Sequence, residues 1–303
     1  MFPPEESEAE PMQESTHKSL FVVIASVLVA AAVAWAGGVG SVEAVGYPVP
    51  LLCAAVAFLL NWLAFWPAYA ARTERYYDLV GSLTYLTLIA CGVLLAEPDA
   101  RGWLLAGMAA VWALRLGSFL FLRIHRAGSD RRFDEVKQDF GQFLMAWTLQ
   151  ALWVFLTLCC ALTAITSVDA RPLDAWAVVG VMIWGIGFGI EIVADRQKSG
   201  FRKDPTNADR FISTGLWAWS RHPNYCGEIV LWVGVTLVAI PVLSGWQYVT
   251  LVSPLFVYLL LTRGSGIPPL EKRAEEKWGD DPEYRAYVER TPILWLRPPS
   301  AES

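Results

Sequence analysis

The sequence predicts an all-α protein, a polytopic transmembrane helical bundle with about eight apolar segments. Three observations predict it. Of the 303 residues, 55% are hydrophobic and only 17% charged, 15 are tryptophan, and the mean hydropathy is +0.39. A soluble domain rarely combines these values. The apolar residues also come in blocks of about 17–24 residues, where a helix needs roughly 20 to cross a hydrocarbon core of about 30 Å. Finally, the basic residues gather on alternate connections between blocks, as the positive-inside rule requires.

The first 18 residues, MFPPEESEAEPMQESTHK, carry five Glu before their only Lys. They read as an acidic disordered tail, without the basic start of a secretory signal, so block 19–36 is expected to remain as a span. Blocks 46–69, 78–96, 102–122, 143–165 and 174–194 follow. The last two, 227–243 and 246–262, are separated by Pro241 and the Ser244-Gly245 break. Either both cross, or one crosses and the other re-enters, giving seven or eight spans. With a cytoplasmic N-terminus and eight crossings, every Lys and Arg except Arg101, Arg115 and Arg171 lies inside. That asymmetry favours an even number of spans with both ends cytoplasmic. The domain reading is therefore a tail over 1–18, a bundle over 19–262 and a cytoplasmic C-terminal segment over 263–303, which closes the candidate site.

Several chemistries have no support. None of the five cysteines forms a C-x-x-C, and the three histidines show no zinc spacing, so neither metal nor disulfide is expected. There is no G-x-x-x-x-G-K-[ST] loop and no G-x-G-x-x-G between a strand and a helix. A bound nucleotide would not sit in a Rossmann domain. No nucleic-acid partner is expected, and the sequence leaves the oligomeric state open. Gly185 and Gly189, four apart in GIGFG, have the spacing of a close helix–helix contact.

Polar side chains at membrane depth are costly and so mark functional candidates. They gather in three places. Glu191, Asp195, Lys198 and Arg202 are spaced 4, 3 and 4 apart, one face of a helix that leaves the bilayer. That face reads either as a solvated helix end or as a polar wall for sugar hydroxyls and phosphates. In STGLWAWSRHPNYCGE, Pro223 restricts His222 to extended geometry, and a helix is expected to begin just after it. Asn224 is then a plausible N-cap, with Glu228 in the first turn. In the C-terminal segment, Tyr284 and Tyr287 interleave with Arg285 and Arg290 in a charged helix that also suits a membrane interface. All three groups fall on one predicted side. Arg196, Lys198, Arg202, Lys203, Arg210 and Arg221 suit a polyanion there.

SRHPNYCGE, followed by LEKRAEEKWGDDPEYRAYVERTP, resembles the C-terminal signature of the steroid 5α-reductase-like membrane reductases. Their uncharacterised bacterial branch also shows a stretch similar to PAY…RTERYYDLVGSLTY at 67–85. RHPNY is shared with sterol reductases, and isoprenylcysteine methyltransferases carry a looser RHPxYxG. The resemblance covers roughly residues 50–297. It implies an all-helical enzyme of a bacterial cell membrane that binds NADPH in a cytosol-facing cavity. The implied reaction is reduction of a conjugated double bond in a lipid-like acceptor, steroids included. Carried over by position, Glu191, Asp195, Arg202, Arg210, Asn224, Glu228, Tyr284 and Tyr287 fall on cofactor-binding positions. Lys198, Arg221, His222 and Tyr225 complete the cofactor-binding candidates.

The chain departs from the animal 5α-reductases at their Gln-Glu pair, where Ala64 and Phe65 stand, with Asn61 the nearest polar residue. Asp78, Ser82 and Tyr85 share a helical face, so Tyr85 is a candidate proton donor and Asp78 its orienting partner. The same trio also reads as an interfacial cap and a packed tyrosine. Glu228, if protonated, is the other donor candidate. Arg115 is the only charge well inside a block and would pair with one of the trio or with substrate. The alternatives to a reductase are an S-adenosylmethionine-dependent methyltransferase on the same scaffold and a non-catalytic transporter or lipid-binding protein.

Overall fold

The computed structural model describes residues 9–127 and 133–299, with side chains over 17–119 and 133–299. Residues 1–8 of the expected tail lie outside this range, as do the side chains of Arg123, Arg126, Arg131 and Arg132 in the predicted inside loop. The described chain is helical: α1 (Ala9–Gly37), α2 (Val49–Ala70), α3 (Tyr77–Ala96), α4 (Ala100–Ala127), α5 (Phe140–Ile165), α6 (Ala175–Lys203), α7 (Pro223–Ala239), α8 (Val252–Arg263), α9 (Ile267–Trp278) and α10 (Pro282–Arg290). Its only sheet among the described residues is a two-residue hairpin, Glu43–Ala44 with Tyr47–Pro48. Eight helical stretches are long and apolar enough to cross a membrane. The chain is a multi-pass membrane protein, with no Rossmann-like sheet among the described residues.

The first helix starts at Ala9, inside the segment expected to be a tail. Once the apolar block has nucleated a helix, extension through good formers such as Gln13 and Glu14 adds a bond for each residue fixed.

Contacts divide the chain into two compact units. The first holds residues 1–173 and 239–252. Its centre is α5, against which α1, α2, α3 and α4 all pack. Every residue from Val154 to Ile165 is buried, because the helix is apolar around its whole circumference. Asp139 starts α5 by accepting from the Gln142 amide at 2.7 Å. Thr148 satisfies its hydroxyl on the Leu144 carbonyl at 2.8 Å. The second break expected near 244–245 is real. A 3-10 turn over Gly245–Leu251 precedes α8, and Gln247 ties it to the turn after α1 by donating to the Val39 carbonyl at 2.7 Å.

The second unit holds residues 174–238 and 253–303. Asp174 starts α6 by accepting from the Ala177 amide. Here α6 and α7 touch backbone to backbone. A Cβ on Gly187 would lie 2.6 Å from the Gly227 carbonyl oxygen, and one on Gly180 would lie 2.7 Å from that of Gly234. The paired glycines are seven apart on each helix and run in opposite directions, so the contact is antiparallel. Gly185 and Gly189, expected to make such a contact, meet nothing within 4 Å. The G-x-x-x-G spacing was the wrong period here: a two-turn, seven-residue repeat keeps one seam facing its partner.

Candidate functional site

All the cofactor-binding candidates lie in the second unit. At 29 residues α6 is about 43 Å long at 1.5 Å per residue, more than a hydrocarbon core requires. It therefore carries the four-residue polar face along one continuous helix. Glu191 and Asp195 are buried, Lys198 is half-buried and Arg202 is exposed. The following loop folds back onto this face. The Trp217 indole donates to the Ala194 carbonyl at 3.0 Å, and Gln197 accepts from the Leu216 amide at 3.0 Å. The Lys198 ammonium then sits 4.4 Å from the centre of the Trp217 ring.

The helix after the RHPNY stretch begins at Pro223 itself, so Asn224 lies in its first turn and is not the cap. Proline suits that first position because its missing N–H has no partner there to lose. Ser220 supplies the entry contact: its hydroxyl accepts from the His222 amide at 3.1 Å and donates to the Leu294 carbonyl at 2.7 Å. Tyr225 stacks on His222, with ring centres 5.7 Å apart and planes 11° apart. Gly227 lets α7 approach α6 at Glu191, since a Cβ there would lie 2.7 Å from the Glu191 nitrogen. Glu191 and Glu228, both buried, thus come from adjoining levels of two touching helices.

The C-terminal segment closes over the loop before α7. Tyr287 donates to the Trp217 carbonyl at 2.7 Å, and Trp278 donates to that of Asp209 at 2.6 Å. Phe211 packs against Tyr284 and Tyr287 at centroid distances of 5.2 and 5.3 Å. At the middle of the closure is Glu271, which the sequence reading missed. One of its carboxylate oxygens takes the Arg221 guanidinium, and the other lies 2.7 Å from His222 Nε2. A signal was present. Glu271 follows Ile267 by four residues and precedes Ala274 and Trp278 by three and seven, the apolar stripe of α9. A carboxylate on such a stripe needs a partner.

Burial pushes the His222 pKa below its ordinary value, and the positive charges of Lys198 and Arg221 push the same way against the pull of Glu271. Burial likewise raises the Tyr284 and Tyr287 phenols. Burial thus favours the neutral ring, whose Nε2 shares the 2.7 Å hydrogen bond with Glu271. The arrangement joins cations, aromatic faces and buried carboxylates. Arg196, Lys203 and Arg210 are exposed and have no ion-pair partner among the described residues, so their charge is available to an anionic ligand. No group of three or more potential metal ligands occurs among the described residues.

Residues 64–291 match the family described as "Protein of unknown function (DUF1295)". The chain belongs to the DUF1295 family. It is also 22% identical over 258 residues to the uncharacterized protein C594.04c of Schizosaccharomyces pombe, covering 75% of this chain and 73% of that one. No solved structure matches.

The DUF1295 match spans every candidate site residue from Asp78 to Tyr287. Asp78 and Tyr85 belong to the first unit of this DUF1295 chain. Asp78 lies in the first turn of α3, where its carbonyl accepts from Ser82 at 3.1 Å. Tyr85 is buried edge-on against Trp112 at 5.1 Å. Asn61, fully buried on α2, donates to the Thr84 hydroxyl of α3 at 3.2 Å. Arg115 is half-buried, its guanidinium 5.4 Å from the Phe119 ring.

Proposed function

We propose that this membrane protein is an oxidoreductase that uses NADPH to reduce a conjugated double bond of a lipid-like substrate. The carrying observation is the gathering of Lys198, Trp217, His222, Tyr284 and Tyr287 around the Glu271 clamp, with the exposed cations Arg196, Lys203 and Arg210 on α6 and the loop after it. Membership of a family that includes steroid 5α-reductase-like proteins supports the same reading.

When bound, NADPH supplies the hydride. Arg202, Arg210 and their basic neighbours meet the phosphates, with bidentate guanidinium contacts favoured. Tyr225 and Phe211, both half-buried, offer faces to flat rings. Asn224 and Glu228 orient the carboxamide at the apolar boundary, and water is kept away by the surrounding hydrocarbon and aromatic side chains. Glu228, buried in the first turns of α7, holds the proton that completes reduction of the acceptor.

The test is ligand-induced stabilisation of the detergent-purified protein, with NADPH, NADH and S-adenosylmethionine added separately. A ligand about 100-fold above its Kd stabilises by about 2.7 kcal/mol. The reading expects NADPH to raise the Tm, and the double variant Arg202→Ala, Arg210→Ala to shrink the rise to well under half. A shift with S-adenosylmethionine alone identifies a methyltransferase. No shift with any of the three points to a non-catalytic membrane protein.

A further inference from the structure

A groove of about 340 Å³ lies on the second unit, between the end of α8, the start of α9 and the segment 292–295. Its construction is fixed by the backbone. The turn Gly264-Ser265-Gly266 brings α9 hard back against α8, where a Cβ on Gly266 would collide with the Leu261 carbonyl. That turn buries Ile267 in the lining. The opposite wall is held in place through its own backbone: the Arg221 amide donates to the Pro292 carbonyl at 2.9 Å, Ser220 to that of Leu294 at 2.7 Å, and the Arg297 amide to that of Trp219 at 3.0 Å. The groove is preformed and does not depend on a mobile side chain.

Its lining is apolar with one charge. Ile267, Pro292, Ile293, Leu294 and Trp295 supply hydrocarbon, and Arg263 supplies the cation. The Thr262 hydroxyl is already engaged, donating to the Tyr258 carbonyl at 2.6 Å. Arg263 is exposed and has no ion-pair partner among the described residues. Trp295 and Ile293 remain 55% and 42% exposed at the rim, a poor arrangement in water. Arg263 is the last residue of α8, directly after the apolar block 246–262, a position where Tyr, Trp and Arg mark the headgroup level.

From this combination we propose that the groove is a binding site for an acidic phospholipid of the surrounding bilayer. The phosphate pairs with Arg263, and one acyl chain lies along Ile267 and Leu294. An acidic headgroup is selected because a zwitterionic one would bring a second cation to an uncompensated guanidinium. A second copy of the chain is a poor occupant, since a stable dimer interface uses roughly 20–30 residues a side and eight line this groove. The site is independent of the cofactor reading and survives its failure.

The experiment reconstitutes the full chain in phosphatidylcholine nanodiscs with and without phosphatidylglycerol. Retained lipid is read by native mass spectrometry and the Tm is followed in parallel. The wild type retains phosphatidylglycerol in preference to phosphatidylcholine. Arg263→Gln lowers that preference about fivefold, the factor equal to about 1 kcal/mol for one basic residue at a membrane surface. Arg263→Lys keeps most of it, and Thr262→Phe, which fills the groove and keeps the charge, loses it. Lys272→Gln removes an exposed charge outside the groove and leaves the preference intact. Should Arg263→Gln not fold, Thr262→Phe decides the matter. The proposal is overturned by an absence of preference in the wild type, by equal losses in Arg263→Gln and Lys272→Gln, or by inorganic phosphate stabilising the protein as well as the lipid does.

Discussion

Glu271 joins His222 at 2.7 Å while its second oxygen holds Arg221, so one carboxylate fastens α9 to both residues that lead into α7. The carboxylate is half-buried, with the Arg221 and His222 side chains more enclosed than it is. Replacement by Ala leaves two donors without an acceptor. Glu271→Ala is expected to cost about 1–3 kcal/mol, read as a lower Tm in detergent. Glu271→Gln keeps one acceptor oxygen and should lose less. Equal losses in both variants would show that the charge, and not the hydrogen bond to His222, carries the contact.

His222 gives the closure a pH dependence. Its folded-state pKa is lowered, chiefly by burial, so the unfolded chain takes up a proton at a pH where the folded chain does not. The contribution is fully present above the ordinary value of 6.5 and is lost as the pH falls through the folded-state value. A Tm measured from neutral to mildly acidic pH should fall in the wild type. It should fall less steeply in His222→Gln, which has nothing to protonate there.

The spans and their order were readable because hydrocarbon imposes length and continuity on a helix, and block 143–165 became the buried α5 for that reason. The clustering of polar groups around RHPNY was also visible, through the cost of charge near lipid. Glu271 was missed because its partners, Arg221 and His222, are about fifty residues away in the chain. Periodicity marks the face a residue occupies, but a single sequence does not say what meets that face. The same limit explains Gly185 and Gly189. Their spacing was sufficient for contact, yet only the neighbouring helix could select Gly187 instead.

That selection can be measured. Gly187 faces the Gly227 carbonyl with no room for a side chain, while Gly185 has open space. Gly187→Leu should force α6 and α7 apart and cost about 1–3 kcal/mol or more, by overpacking. Gly185→Leu should be nearly silent in thermal unfolding. A similar loss in both would mean that the seam between the helices does not run through Gly187 and Gly227.

The exposed cations make a separate prediction about salt. Arg210 is exposed and has no ion-pair partner among the described residues, so any attraction it exerts on a ligand phosphate is screened beyond about 10 Å at 0.1 M ionic strength. An exposed pair of this kind contributes up to about 1 kcal/mol, or roughly a fivefold change in Kd. Titration of NADPH against tryptophan fluorescence should therefore weaken with added salt. Arg210→Gln should weaken it about fivefold at low salt and reduce the salt dependence. NADH, with one phosphate fewer, should respond less to both changes. If Arg210→Gln leaves the NADPH titration and its salt slope unchanged, the phosphates are held elsewhere, and the basic loop after α6 serves the membrane surface instead of the cofactor.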